Sequence, residues 1–368
     1  MGLNDTEKVA LLNLLAIPGI GAWGAIRLVK EFGLPSKVFH AGDGALRSVP
    51  RIGEKAIEAI HKSASQGEAG RKQFVAAAGH GANVVSFWDE EYPPLLRELE
   101  QDAPAVLFVK GNLQLNARRV AFVGTRRASD YGKRACRELV SSLAGSGIHV
   151  MSGLASGIDG AAHAAALDRG LPTEAVFGCG IDIVYPESHK ALAERIVASG
   201  GALVSEYPPG TPPTVYTFPQ RNRIIAGLSS ATIVVEAPEK SGALITARLA
   251  LSFGREVGAV PGFVVGGKAK GCHELIKEGA ALIDSGQDIL DLIKISTRAV
   301  DVVEAAPAPA LAEPELKLWE LIPSSDKIHI DILAEKASQG TGEVLSRLLM
   351  MELKGYIKQL PGKFFVRA

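Results

Sequence analysis

Apolar residues recur with two different periods along the chain. Up to about residue 66 the spacing is helical: Ala25, Leu28 and Val29 form one stripe, Ala56, Ile57 and Ile60 another. Each stripe follows a similar turn, Ile17-Pro18-Gly19-Ile20-Gly21 and then Val49-Pro50-Arg51-Ile52-Gly53. The repeat predicts an all-α, tandem helix-hairpin-helix or SAM-like domain over residues 1–66. In such hairpins a glycine permits the tight turn, and the amides of the following helix can face a phosphate. A helical packing domain accounts for the pattern equally well, because Arg51 and Lys55 add little positive charge.

From about residue 80 the pattern becomes short apolar runs alternating with amphipathic stretches. Strands are expected at 83–87, 105–109, 120–123, 149–151, 173–177, 202–205, 232–236 and 256–260. Helices are expected at 130–144, 159–167, 189–199 and 243–253. Strand-helix-strand repetition implies a parallel sheet covered on both faces. The fold class is α/β, with a Rossmann-like central domain over residues 67–298.

The run AAPAPALAEP, residues 305–314, marks a stiff linker placed at 299–314. Beyond it, residues 315–368 read as three helices (316–321, 329–337, 341–353) and a hairpin turning at Pro361-Gly362, a winged helix-turn-helix domain. Val344, Leu345, Leu348 and Leu349 form the expected core stripe of the third helix. Its charged residues, Glu343, Arg347 and Glu352, suit protein contact or a structural role better than phosphate.

Charge narrows the partners. Lys plus Arg and Asp plus Glu number 40 each, so a nucleic-acid site must be a local basic groove on a neutral body. Cys136, Cys179 and Cys272 are scattered, which disfavours structural zinc and fits buried thiols in a reducing compartment. The N-terminus lacks a secretory pattern and no apolar run is long enough to cross a bilayer, so a cytoplasmic location without membrane contact is expected.

Familiar catalytic patterns are missing. The loop after the 120–123 strand, Gly124-Thr125-Arg126-Arg127, has one glycine where a dinucleotide loop needs three. GFVVGGKA, residues 262–269, approaches a Walker A loop, but Ala269 stands where a hydroxyl should hold magnesium, and no helix is expected to start there. There is no GxSxG and no HExxH. No cofactor or metal is expected.

Four segments are expected to open along the carboxyl edge of the sheet with phosphate chemistry: Gly124-Thr125-Arg126-Arg127, Ser152 to Gly157, Gln220-Arg221-Asn222-Arg223, and Lys240-Ser241-Gly242. Four on one edge suggest a groove for successive phosphates of a single strand, with Tyr216 and Phe218 as stacking candidates. Arg118 and Arg119 read as solvated charges flanking a strand. Asp159 reads as a helix N-cap and His163 as a structural hydrogen-bonder. Glu236 reads as the partner of a nearby arginine or as catalytic.

VGTRRASDYG (123–132), SGLASGIDGAAHAAAL (152–167), GCGIDIVYP (178–186), SEYPPGTPP (205–213), FPQRNRIIAGLS (218–229) and EAPEKSGALITARLAL (236–251) resemble the motifs of the DprA/Smf family (DNA-processing protein A). The resemblance covers the whole Rossmann-like domain in order. It implies a single-stranded-DNA-binding mediator of recombination, without catalytic activity, that protects incoming DNA and helps load the RecA recombinase in natural transformation. It also implies a homodimer, with single-strand-binding protein as a further partner. Carried onto matching positions, the DNA-contacting set is Gly124, Arg126, Arg127, Ser152, Gly153, Arg221, Asn222, Arg223, Lys240 and Gly242. His273 stands where the family often has Asn. The alternative is a nucleotide-processing enzyme of the lysine-decarboxylase-like (LOG) type. It lacks support in the loop Pro238-Glu239-Lys240-Ser241-Gly242, which has no PGGxGT pattern.

Overall fold

The structure is a computed structural model describing residues 2–66, 68–300, 313–322, 328–337, 339–354, 356–360 and 362–367. It divides into two compact units, Met1–Thr297 and Arg298–Ala368. The central part of the expected linker, residues 301–312, lies outside the described residues.

The larger unit is built on a nine-stranded sheet: β1 (Asn83–Ser86), β2 (Val106–Gly111), β3 (Arg118–Val123), β4 (Ile148–Ser152), β5 (Thr173–Phe177), β6 (Ala202–Ser205), β7 (Ala231–Val234), β8 (Glu256–Ala259) and β9 (Ala281–Leu282). Their order is β1-β2-β6-β5-β4-β3-β7-β8-β9. The eight expected strands are all present. The sheet is not wholly parallel, however: β1 pairs with β2, and β2 with β6, in antiparallel fashion. The short strand β9 was not expected.

The central strands β4 and β5 are buried at every position, as a sheet covered on both faces requires. Alternation along β3 separates two cores. Val120 and Phe122 pack with Cys136, Leu139 and Val140 on one face. Ala121 and Val123 pack with Ile224, Ile225, Leu228 and Ala247 on the other. Each such large apolar side chain stabilises the fold by roughly 1.5–3 kcal/mol.

The N-terminal helices share this unit rather than standing apart from it: Ile26 joins the core under the sheet, and Leu12 joins the cluster around Phe108 and Phe177. The repeated turn has repeated geometry. Gly19 and Arg51, third in each turn, both take the left-handed conformation, at φ 86° and 64°.

Arg118 is exposed, as expected, but Arg119 is not a solvated charge. It is 1% exposed, and its Nε donates to Glu174 Oε2 at 2.8 Å. His149 Nδ1 meets the same carboxylate at 2.9 Å. Arg119, His149 and Glu174 lie on the adjacent strands β3, β4 and β5, so the pleat brings the three together inside the sheet layer. Burial of the guanidinium is tolerable because the counter-charge and the Ala117 and Gln114 carbonyls satisfy it.

In the smaller unit, helices Glu313–Leu321, Ile330–Ala337 and Thr341–Leu353 pack with a three-stranded sheet of β10 (Ile328–His329), β11 (Ile357–Leu360) and β12 (Phe364–Arg367), a winged helix. Val344 and Leu348 are buried in its core, with Leu318, Leu333 and Phe365. Leu345 and Leu349, expected beside them, are instead exposed. The helix turns them out of its packed face, together with Met350.

Candidate nucleic-acid cleft at the carboxyl edge

The sheet reverses its winding at β3. The chain runs outward through β4, β5 and β6 on one side and returns as β7 and β8 on the other. At such a switch point the loops leaving adjacent strands diverge and open a crevice. Here the crevice is a cleft of about 540 Å³. The loops after β3 and β7 meet beside it, where the Thr125 amide donates to the Glu236 carbonyl at 2.7 Å.

Close packing dictates the glycines. A Cβ on Gly124 would stand 2.4 Å from Ile158 Cγ1, and one on Gly153 would strike the Arg221 guanidinium. Among the described residues Glu236 has no arginine partner, and it lies outside the cleft lining. Its carboxylate accepts from the Ser129 amide at 3.2 Å and from the Ser129 hydroxyl, fixing the start of the helix Asp130–Ser142.

Of the expected contact residues, Gly124, Arg126, Arg221, Asn222, Lys240 and Gly242 line the cleft. Arg126 is exposed and lies over the Phe218 ring, 4.7 Å from its centroid. Tyr185 also packs against Phe218, with ring centroids 5.5 Å apart. Lys240 and Gly242 are exposed at the start of the helix Gly242–Ser252, whose cap is Ser241, accepting from the Ala243 amide. Exposed cations, orphan helix-terminal amides and an aromatic wall converge on one space, and this combination receives anions carrying flat rings.

The other expected residues serve differently. Residues 220–223 are not a loop: they belong to the helix Thr217–Leu228. Arg221 is 3% exposed, and its Nη1 donates to the Gly153 carbonyl at 2.7 Å and to the Val176 carbonyl. Its Nε donates to Asn222 Oδ1 at 3.2 Å. It therefore braces the cleft floor rather than offering a free fork. Arg223 is held by Glu206 at 2.5 Å. Ser152 is fully buried, donating to the Phe122 carbonyl at 2.6 Å. Gly153 lies buried beneath Arg221, and Arg127 is exposed beyond the cleft lining.

Asp159 lies in the first turn of the helix Ile158–Asp168, and Gly157 takes the N-cap position. Its Oδ2 accepts from the Gly153 and Ala155 amides at 3.1 and 3.4 Å. Burial pushes this carboxyl above the ordinary range, against the pull of Arg221 and of those amides. Burial likewise lowers the pKa of Arg221, which Asp159 opposes. His163 is the structural hydrogen-bonder expected of it, with Nδ1 2.7 Å from Thr173 Oγ1.

The near-Walker segment stays outside the cleft lining. A helix, Lys270–Lys277, does begin directly after it, contrary to expectation. Tyr185 is the aromatic that the sequence reading missed; it is the penultimate residue of GCGIDIVYP, where only the ring type hinted at a role.

A switch-point crevice rimmed by cations and walled by rings defines the class: a Rossmann-like protein with an anion-receptive cleft, joined to a winged helix. The chain belongs to the DNA recombination-mediator protein A family, whose model matches residues 83–294; the DprA winged helix domain matches residues 302–363. Protein Smf of Escherichia coli is 42% identical over 283 residues, 75% of each chain. Among solved structures, DNA processing protein A of Streptococcus pneumoniae superposes with a TM-score of 0.65 at 34% identity, covering 79% of this chain and 98% of that one. DNA processing protein A of Helicobacter pylori, determined for its single-stranded DNA binding mode, gives 0.50 at 29% identity, covering 57% and 95%.

Proposed function

We propose that this recombination mediator binds single-stranded DNA in the switch-point cleft and helps load the RecA recombinase on that strand in natural transformation. The observation that carries the reading is the stack of Arg126 on Phe218 facing Lys240 and the Gly242 helix terminus. That arrangement offers a base-stacking ring and phosphate donors within one cleft. The single-stranded DNA binding mode described for the Helicobacter pylori relative supports the same ligand.

In this reading Gly124, Arg126, Asn222, Lys240 and Gly242 touch the strand. Ser152, Gly153 and Arg221 hold the floor, and Arg127 and Arg223 flank it. The protein works in the cytoplasm as a homodimer, meets single-strand-binding protein, and turns over no nucleotide. Residues 67–298 carry the strand, with residues 1–66 as a helical accessory. Residues 315–368 serve protein contact, in keeping with exposed Leu345, Leu349 and Met350 on the helix Thr341–Leu353.

Fluorescence anisotropy with labelled single-stranded and duplex oligonucleotides tests this. Single strands should bind more tightly, with a log–log salt slope of about −0.7 per phosphate contacted. Arg126→Ala should cost about tenfold in affinity at an unchanged melting temperature. Equal affinity for duplex and single strand at every salt concentration would remove the cleft from this account.

A further inference from the structure

Three consecutive apolar side chains stand in solvent on the loop between β8 and the helix Lys270–Lys277: Phe263 at 70% exposure, Val264 at 87% and Val265 at 89%. Three such residues in a row on a protein surface ask for a partner. Their surroundings say which. The loop leaves the carboxyl end of β8, two strands from β3 in the sheet order and on the same edge as the cleft. It is tied to the cleft's arginine loop, because Lys268 Nζ donates to the Arg127 carbonyl at 3.5 Å. Phe263 leans on Tyr131, with ring centroids 5.1 Å apart, and the Tyr131 hydroxyl donates to the Pro261 carbonyl at 2.8 Å. Neither Arg127 nor Lys268 has a carboxylate partner among the described residues. Rings, apolar tips and unpaired cations therefore continue from the cleft without a break in chemistry.

We propose that residues 262–268 form a second station for the strand held in the cleft. Phe263, Val264 and Val265 receive bases that have left the cleft, while Arg127 and Lys268 take the phosphates between. The inference rests on the single-strand reading above and extends it with a path. Tyr216, 78% exposed, stands next to the cleft residues Val215 and Phe218 on the segment between β6 and the helix Thr217–Leu228. From β6 to β8 the sheet order takes five steps, about 24 Å at about 4.8 Å per strand. A stacked strand rising about 3.4 Å per nucleotide covers that distance with about seven nucleotides. A duplex cannot offer its bases to an apolar loop, so this station also adds to the preference for unpaired DNA.

The test compares oligothymidylates of roughly three and fifteen nucleotides, lengths on either side of the seven or so that the edge accommodates. Wild type is set against Phe263→Ser/Val264→Ser/Val265→Ser, with Val264→Ser/Val265→Ser as a variant that leaves the Tyr131 contact intact. Affinity, melting temperature and oligomeric state are measured on the same samples. The triple variant should lose about tenfold or more on the long oligonucleotide, keep its affinity for the short one, and melt like wild type. Lys268→Ala should make the salt slope shallower for the long oligonucleotide alone. Unchanged affinity for the long oligonucleotide overturns the proposal. So does an equal loss on both lengths, which would mean that the loop only shapes the cleft. Conversion to a smaller oligomer overturns it too, because a second copy of the chain would then be the occupant. If wild-type protein binds neither length, the single-strand reading itself has failed, an outcome distinct from the other three.

Discussion

His163 is held neutral by its surroundings. Thr173 Oγ1 donates its only proton to the Val150 carbonyl at 2.8 Å, so it must accept from His163 Nδ1–H. Among the described residues Nε2 is buried without a partner. Burial pushes the ring's pKa down to about 3 from an ordinary value near 6.5. Between those values the unfolded chain binds a proton that the folded chain refuses, so this residue's contribution to stability falls as pH falls. The contribution is roughly 5 kcal/mol over the full window. His163→Asn, whose amide can still donate to Thr173 but does not titrate, should flatten the loss of stability between pH 6.5 and 4 in urea denaturation. An unchanged slope would place the titration elsewhere. The Arg119–Glu174 pair makes a second residue-scale prediction. Glu174→Gln leaves a buried guanidinium without its counter-ion and should cost about 3–5 kcal/mol. Arg119→Met combined with Glu174→Leu should recover part of that loss, because neither charge is then left alone and only the His149 ring loses its partner. Strand affinity of the folded double variant should match wild type, since Arg119 sits near the start of β3 and the cleft lies beyond its end.

At the scale of elements, the join between β3 and the helix Asp130–Ser142 depends on a glycine in the helix's first turn. Alanine there would ordinarily help a helix by about 0.5–1 kcal/mol. At Gly132 the added methyl would stand 2.1 Å from Glu236 Oε2, the group that fixes Ser129. Gly132→Ala should therefore lower the melting temperature, by about 1–3 kcal/mol of stability, and loosen the Arg126 loop that follows β3. A raised melting temperature would show that Glu236 moves aside freely. The helix Thr217–Leu228 teaches the companion lesson. Arg221, Ile224, Ile225 and Leu228 follow i, i+3, i+4, i+7 spacing, so a buried helical face that includes an arginine was visible in the letters RNRIIAGL. Two nearby arginines and an asparagine drew the reading toward a loop instead. Glu174 carried a similar signal: a carboxylate inside an apolar run needs a buried counter-charge.

Across the whole molecule, the chain divides into its two compact units after Thr297. A chain ending at Thr297 should fold cooperatively and keep most of its affinity for short single strands, because every residue lining the cleft precedes that point. Circular dichroism melting and anisotropy on the truncated protein check this; a large loss of short-strand affinity would give the winged helix a share in the binding. Periodicity in the sequence sufficed for the α/β class, the eight longer strands and the winged helix, because alternation and helical stripes are local consequences of which faces are buried. The motifs sufficed for the family. They could not say which of the candidate residues reach solvent. Arg126 and Lys240 reach solvent, while Arg221 and Ser152 are spent inside the fold and Arg119 is sealed within the sheet. Nor could the sequence reveal that Phe263, Val264 and Val265, apolar by composition, would be left uncovered beside Arg127. Burial and pairing of a charge depend on what arrives from distant strands, and only the assembled sheet brings Glu174 to Arg119 and Gly153 to Arg221.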